Sequence, residues 1–195
     1  CRHGLSYSKY HCDYKGISAE QTLFVAMEDP VEICDVKLRN NSKQKRDMSV
    51  FSYLEFSFHH IEMDNKNFQM SLYASGSNYS DGIIEYDLYY EENGYQFFTS
   101  SFEPDGFDCV RDTFVGPYRT EKNPLAVERG ACSNSTEKGG NHCASLMKRI
   151  ELEPGQEIRL IFLLGEGGKA AGKTMRDKYA NSKSADRQFE LLRIF

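Results

Sequence analysis

The chain has 195 residues, a formal net charge of −5 and an isoelectric point near 5.6. This acidic balance argues against a general nucleic-acid binder, which needs a basic face, and no apolar run reaches the roughly 18 residues of a membrane span. A chain of this length forms one domain, or one with an appendage. Its aromatic residues are all Phe or Tyr, which suits two sheets packed face to face.

Alternating apolar and polar residues predict short strands along the first half of the chain. Residues 21–26 form one strand, and residues 31–39 form a second whose change of phase predicts a β-bulge near Cys34 and Asp35. A polar turn follows at 40–45. One face of a long strand is then predicted from the apolar residues Met48, Val50, Leu54, Phe56 and Phe58.

Two turn sequences predict β-hairpins in the second half. Further strands are expected at residues 68–74, 82–90, 95–102, 148–152 and 158–164. Asn93-Gly94 is a favoured hairpin turn and joins the third of these to the second. In Pro154-Gly155, Pro fixes the first φ and Gly supplies a positive second φ, so the last two strands are predicted to pair. This succession of short strands predicts an antiparallel sandwich.

The pattern becomes helical from Lys169 onward, which divides the chain into a sandwich at residues 1–166 and a helical linker at residues 167–195. Ser184 is the predicted N-cap of the second helical segment. An apolar stripe is formed by Met175, Tyr179, Phe189, Leu192 and Phe195. Because the sequence stops on this stripe, we expect its partner surface to lie outside this chain, and we interpret the chain as a piece of a longer protein.

Residues 167–174 satisfy the phosphate-binding pattern G-x₄-G-K-[ST]. Such a loop requires a parallel α/β sheet in which another strand supplies an Asp for Mg²⁺. The residues after Thr174 read as helix, and the preceding strand belongs to an antiparallel pair. We therefore interpret the segment as a flexible exit towards the helices and not as a nucleotide site.

Six cysteines are too sparse for a disulfide scaffold in a chain of this length. The three glycosylation sequons, at Asn40, Asn78 and Asn134, arise easily by chance in polar loops. We expect reduced thiols in a cytoplasmic protein. A zinc site formed by Cys132, His142 and Cys143 is the alternative, although paired C-x₂-C spacing is missing.

Three segments carry a family resemblance: RDTFVGPYR at 111–119, NPLAVERGACSNS at 123–135 and LEPGQEIRLIFLLGEG at 152–167. They closely resemble the N-terminal β-sandwich of the disaccharide phosphorylases of glycoside hydrolase family 94. The resemblance implies an all-β fold, an antiparallel super-sandwich of the galactose-mutarotase-like kind, with a C-terminal helical linker. It also implies a catalytic α/α barrel in the same chain, outside this sequence, and a homodimer partner.

The family's chemistry is inverting phosphorolysis of a disaccharide. A carboxylic acid protonates the glycosidic oxygen while inorganic phosphate, the co-substrate, attacks the anomeric carbon from the opposite face. The resemblance implies no further cofactor and places the catalytic groups in the barrel. None is therefore assigned here, and we expect the 195-residue chain alone to be inactive.

The connection around residues 58–70 is longer than a usual hairpin loop and rich in groups that bind sugar hydroxyls. An ordinary exposed loop is the simpler interpretation. The resemblance instead implies contact with the acceptor sugar in the partner subunit, through His60, Asn67, Phe68, Gln69 and Met70. At position 70, Met replaces the Arg of cellobiose phosphorylases, which removes a fixed charge. The segment looks more like cellobionic acid phosphorylases, with cellobiose, laminaribiose and chitobiose left open.

Arg111, Asp112 and Arg119 allow two interpretations. They face the barrel or the substrate entrance, or they form ion pairs and backbone hydrogen bonds that order an irregular loop and fix the barrel interface. We favour the second. For the chain as a whole, a free-standing carbohydrate-binding sandwich is the alternative function.

Overall fold

The computed structural model describes residues 1–56, 66, 72–90 and 94–194. In chain order the strands are β1 Arg2–His3, β2 Tyr7–Tyr14, β3 Ile17–Val25, β4 Val31–Asn40, β5 Arg46–Phe51, β6 Leu54–Glu55, β7 Ser75–Ser80, β8 Ile83–Leu88, β9 Tyr95–Ser100, β10 Gly106–Val110, β11 Glu137–Lys138, β12 His142–Leu152 and β13 Glu157–Glu166. The helices are α1 Arg111–Val115, α2 Leu125–Arg129, α3 Lys169–Tyr179 and α4 Ser182–Ile194.

These strands form two antiparallel sheets of unequal size. The large sheet has the order β1-β2-β3-β4-β13-β9-β8-β7-β11, and the small sheet has the order β10-β12-β5, with β6 also paired to β12. The sheets pack face to face through a shared apolar cluster that includes Ile84, Leu146 and Phe162. The predicted antiparallel super-sandwich is confirmed.

Helices cover the outer face of each sheet. On the large sheet, α3 and α4 pack on Phe24, Ile33 and Phe97, while α1 and α2 cover the small sheet through a cluster that contains Phe114 and Cys143. The described helices include none that is both long and apolar enough to cross a membrane.

The predicted bulge in β4 is wrong. The strand keeps a continuous register with both β3 and β13, with Thr22 and Ile161 opposite Asp35. Both of its faces are buried: Val31 and Ile33 lie under the helices, whereas Leu38 packs between the sheets. The change of phase in the apolar pattern of β4 is therefore explained by the burial of both faces of this strand.

The predicted hairpin of the last two strands is also wrong. Pro154-Gly155 does form a tight turn, since Gly155 has φ +78° and the Gln156 N–H donates to the Glu153 carbonyl at 3.0 Å. However, β12 lies in the small sheet and β13 in the large one, so the turn carries the chain between sheets. Buried Asn40 holds this corner: its Nδ2 donates to the Leu152 carbonyl and its own carbonyl accepts the Gly155 N–H.

Two strand predictions hold in part, and the described residues of the strand predicted at 68–74 contradict that prediction. Met48, Val50, Leu54 and Phe56 do pack in one cluster, but the long strand is interrupted between β5 and β6. The returning strand begins at Ser75, since Leu72 and Tyr73 are helical. β8 and β9 pair as predicted, while their turn at 91–93 and Phe58 lie outside the described residues.

The C-terminal apolar stripe has its partner within this chain, contrary to expectation. Phe189 makes edge-to-face contacts with Tyr7 and Phe24 at ring-centroid distances of 5.2 and 5.3 Å, and Leu192 packs on the same cluster. Asn181 rather than Ser184 caps α4, because its Oδ1 accepts the Ser184 N–H at 2.9 Å.

The segment that matches the phosphate-binding pattern is helical from Lys169, so its interpretation as a flexible exit is wrong. The Glu85 carboxylate accepts the Lys169 N–H at the start of α3. Gly172 faces the sheet, where a Cβ would lie 3.0 Å from Cγ of Phe97. Close packing of α3 on the sheet therefore explains the glycine at position 172. The strand that precedes α3, β13, is antiparallel to both of its neighbours.

Candidate functional site

The five residues predicted to contact the acceptor sugar lie outside the described residues. They are His60, Asn67, Phe68, Gln69 and Met70. Both ends of the segment that contains them are described, at Phe56 and at Leu72. We call residues 57–71 the acceptor-side segment, and its two ends define the candidate site.

The outgoing end is fixed through Glu55, at the end of β6. Its Oε1 accepts hydrogen bonds from the Tyr53 hydroxyl at 2.6 Å and from Arg111 Nε at 2.8 Å. The pKa of Tyr53 is raised, first by burial and then by this hydrogen bond to a carboxylate. The next residue, Phe56, stacks on Tyr86 with ring centroids 4.8 Å apart and planes 6° from parallel. A charged hydrogen-bond pair and an aromatic stack thus hold the outgoing end.

The returning end is fixed by the turn between β11 and β12. The Gly140 N–H donates to the Leu72 carbonyl at 2.5 Å, and the Gly139 N–H donates to the Ser75 carbonyl at 2.7 Å. Both glycines have positive φ, which favours glycine at these positions. Asn141, in the same turn, accepts the Arg111 backbone N–H at 2.9 Å. The turn that holds the returning end is therefore also bonded to Arg111.

His142 lies between the two ends, at a cavity of about 110 Å³ that Phe56 and Leu72 also line. The Ser77 hydroxyl donates to the Cys109 carbonyl at 3.1 Å, so it accepts from His142 Nδ1 at 2.7 Å. This pattern indicates a neutral imidazole with its proton on Nδ1. Nε2 is buried and has no hydrogen-bond partner among the described residues, and burial lowers the pKa of His142 to about 4.

Arg111 and Arg119 form ion pairs, as the favoured interpretation expects, but mostly with other partners. Besides Glu55, Arg111 binds Glu121 through Nη2 at 2.5 Å, whereas its distance to the neighbouring Asp112 is 3.9 Å. Arg119 pairs with Glu128 and also donates to the Asn123 carbonyl at 3.3 Å. The hydrogen bond from Arg119 lowers the pKa of Glu128. Their predicted role at an interface stays a prediction.

Buried Asp108 is a structural centre that the sequence prediction missed. Its Oδ1 accepts hydrogen bonds from the backbone of Ser133 and Ser135, both at 3.1 Å, and from the Ser135 hydroxyl at 2.7 Å. These bonds tie the loop that follows α2 to β10. The two serines around Asn134 were the available signal, because such residues commonly bond to a nearby carboxylate or backbone group.

The proposed zinc ligands do not assemble. Cys132 Sγ lies 3.9 Å from the Ser145 hydroxyl, and Cys143 Sγ is directed to the Asp108 carbonyl at 3.7 Å. Within the described part of the chain, no three His, Cys, Asp or Glu side chains are grouped to hold a metal ion. All six cysteines are free thiols.

Two open grooves lie away from this site. One, on the outer face of the large sheet, has a volume of about 620 Å³ and a polar lining that includes Asn78, Asp87 and Tyr89. The other, of about 420 Å³, lies between β2 to β4 and the β5–β6 part of the small sheet, and its lining includes Val36, Phe162 and Glu32. Burial raises the pKa of Glu32.

The two-sheet sandwich, with helices on both outer faces, is matched by a solved structure. A solved polysaccharide lyase matches 80% of this chain and 21% of its own, with a TM-score of 0.51 at 8% identity, and so shares the fold alone. The family model of the glycosyl hydrolase 94 supersandwich domain matches residues 1–182. The chain therefore belongs to the glycosyl hydrolase 94 family, which confirms the resemblance seen in the sequence.

Several curated relatives of the chain are disaccharide phosphorylases. The chain is 50% identical over 195 residues to the N,N'-diacetylchitobiose phosphorylase of Vibrio proteolyticus, in a match that includes 98% of this chain. It is 47% identical over 191 residues to the N,N'-diacetylchitobiose phosphorylase of Vibrio furnissii, in a match that includes 96% of this chain. It is 32% identical over 197 residues to the solabiose phosphorylase of Paenibacillus borealis. The chain spans about a quarter of the length of these relatives and matches their N-terminal portion.

Proposed function

We propose that this chain is the non-catalytic sandwich of an inverting disaccharide phosphorylase and that it lends its acceptor-side segment to the sugar site. The observation that carries the proposal is the double anchoring of that segment: Glu55 fixes one end and the turn at Gly140 fixes the other. The two described residues that flank the segment, Phe56 and Leu72, are thus both held by the sandwich. When both ends of a binding loop are held in this way, its side chains are positioned more precisely for binding.

In this proposal the catalytic acid and the phosphate-binding groups belong to an α/α barrel of the same polypeptide. Two copies form a homodimer, and the segment of one reaches the acceptor sugar of the other. Inorganic phosphate is the attacking co-substrate. The six free thiols support a cytoplasmic location.

N,N'-diacetylchitobiose is the first candidate substrate, because the two relatives near 50% identity act on it. Cellobionic acid is the second, supported by His60 and Met70 where cellobiose phosphorylases carry Asn and Arg.

The test uses the full-length enzyme with a sugar 1-phosphate donor and a panel of acceptors, with phosphate release as the readout. We expect N-acetylglucosamine to be the preferred acceptor, and preference for gluconate would select cellobionic acid instead. Substituting Asn67 or Gln69 by Ala should raise KM for the acceptor, and an unchanged value would contradict the role of the segment. The 195-residue chain assayed alone should be inactive.

A further inference from the structure

The small sheet covers only part of the inner face of the large sheet. It contributes β10, β12 and β5, with β6 beside β12, against nine strands in the large sheet. Along one row of the inner face, Phe162 on β13 is 4% exposed, whereas Cys34 on β4 and Leu23 on β3 are only half-buried. Tyr10, on β2 and the same face, is 41% exposed. The cover over this face therefore decreases from β13 towards β2.

The strand β5 forms the edge of the small sheet beside this open face. It pairs with β12 along its whole length, Arg46–Phe51, and within the described residues no strand pairs with its other edge. Met48 and Val50 lie on the face of β5 that packs against the large sheet, and both are half-buried. A free strand edge flanked by apolar side chains is a template for a further strand.

The free edge and the open face meet in the groove of about 420 Å³ described above. Residues 50–54 form one wall of this groove, and the inner face of β2 to β4 forms its floor. Neighbouring strands lie about 4.8 Å apart and packed sheets about 10 Å apart, so the groove is the position that the next strand of the small sheet would occupy. The Gln21 amide donates to Cys34 Sγ at 3.1 Å and is thereby bonded within the floor. Leu23 and Val36 beside it offer apolar contacts, which suit the side chains of a strand better than the hydroxyls of a sugar.

We propose that an extended strand from the part of the same polypeptide outside residues 1–195 pairs with the free edge of β5 and covers Leu23 and Val36. Main-chain hydrogen bonds hold such a strand, and apolar side chains at every second position face the floor. Glu32, near the start of β4, is half-buried on the same face, so a basic or hydrogen-bonding residue of the strand should lie beside it.

Two considerations favour the same polypeptide as the source of the strand. The chain spans about a quarter of the length of the phosphorylases that it matches, so most of a polypeptide of that length lies outside it. A strand that is tethered to the sandwich also binds at a high effective concentration, without the loss of translational freedom that a separate partner would incur. The inference does not depend on the acceptor-side role of residues 57–71.

Hydrogen exchange in the full-length polypeptide tests the pairing of β5. With the strand in place, the amides of Arg46–Phe51 should exchange as slowly as those of β12, within about tenfold. With a free edge, about half of them point away from β12 into solvent and should exchange at nearly unprotected rates. This second result would overturn the proposal.

A pair of substitutions tests the cover over the floor. Leu23→Thr changes a half-buried side chain that lines the groove. Val25→Thr is the matched control on the same strand and face, because Val25 is 54% exposed and does not belong to the groove lining. If a strand covers the floor, Leu23→Thr should lower the unfolding temperature of the full-length protein by about 4 °C, against about 1 °C or less for Val25→Thr. Equal shifts would contradict the proposed cover.

Cross-linking identifies the source of the strand. Gln21→Cys, in a full-length background with Cys1→Ser and Cys12→Ser, places a thiol in the floor to which a photoreactive group is attached. Mass spectrometry of mixed isotope-labelled and unlabelled copies then shows which copy supplies the captured peptide. Capture of a segment outside residues 1–195 from the same copy would support the proposal. Capture of a second copy, capture of residues 1–195 alone or no capture would overturn it.

Discussion

The guanidinium of Arg159 on β13 forms a bidentate ion pair with the carboxylate of Asp35 on β4, with Nε–Oδ1 and Nη2–Oδ2 distances of 2.7 Å each. Arg159 also donates to Asp186 on α4 at 2.8 and 3.1 Å. One side chain therefore joins two strands of the large sheet to the helix that covers them.

Removing Arg159 should destabilise the fold strongly. Asp35 is 8% exposed, and Arg159→Met would leave its charge buried without a partner, which costs about 3 kcal/mol. Asp186→Asn should cost less than about 1 kcal/mol because that carboxylate is mostly exposed. Urea unfolding measures both. The double variant Asp35→Leu with Arg159→Met should recover part of the loss, and equal costs for the two single variants would contradict this account.

Stability should fall in acid because of His142. Its pKa is about 4 in the folded protein and about 6.5 in an unfolded chain, so the unfolded state binds more protons between these values. The contribution is fully present above pH 6.5 and is lost as the pH falls to 4, a change of roughly 2–3 kcal/mol.

The measurement is the free energy of unfolding as a function of pH for the wild type and for His142→Gln. The variant should show a flatter dependence in this window. A wild-type slope retained in His142→Gln would show that other groups cause the acid sensitivity.

Gly172 should resist enlargement for reasons of packing. Val at this position would place its Cβ against buried Phe97 and Ile83, at about 3 Å from each, and we expect a loss of about 2 kcal/mol. Ala170→Val is the matched control, because Ala170 lies on the exposed side of α3 and tests β-branching alone.

Lys173→Met should leave stability and nucleotide binding unchanged. Saturable binding of Mg-ATP that depends on Lys173 would contradict the interpretation that residues 167–174 do not form a nucleotide site.

The cysteines should fall into a fast and a slow class towards a thiol reagent. Cys1 and Cys12 are exposed and should react quickly. Burial raises the pKa of Cys109 to about 12 and that of Cys34 to about 11, so little thiolate forms at neutral pH. Mass spectrometry after timed labelling should show Cys109 and Cys143 modified only once the protein unfolds. Rapid native labelling of Cys143 would contradict its buried position.

The sequence predicted the sandwich because strand periodicity and turn chemistry are local. Pro154-Gly155 specifies a tight turn, but nothing in those residues states which sheet the next strand joins. In the same way, the change of phase in β4 predicted a bulge because the sequence does not reveal that helices much later in the chain cover the outer face of this strand. Phe189 was recognised as part of an apolar stripe, but its partners Tyr7 and Phe24 lie at the other end of the chain.

The site was predictable to a smaller extent. The charged segment at 111–119 was singled out, but the principal partner of Arg111 is Glu55, which lies 56 residues away. Long-range pairs of this kind leave no periodic pattern. His142 and Asp108 were missed as structural centres for the same reason, since their partners come from distant strands and loops.

The corner held by Asn40 has a consequence for how the polypeptide acquires its shape. A four-residue turn usually closes early, before distant regions meet. Here the turn after β12 gains its support from a residue more than a hundred positions upstream, so it gains this support only when both halves of the molecule have come together. We expect slow, strongly cooperative folding with high contact order, in which this short turn is among the last parts to become rigid.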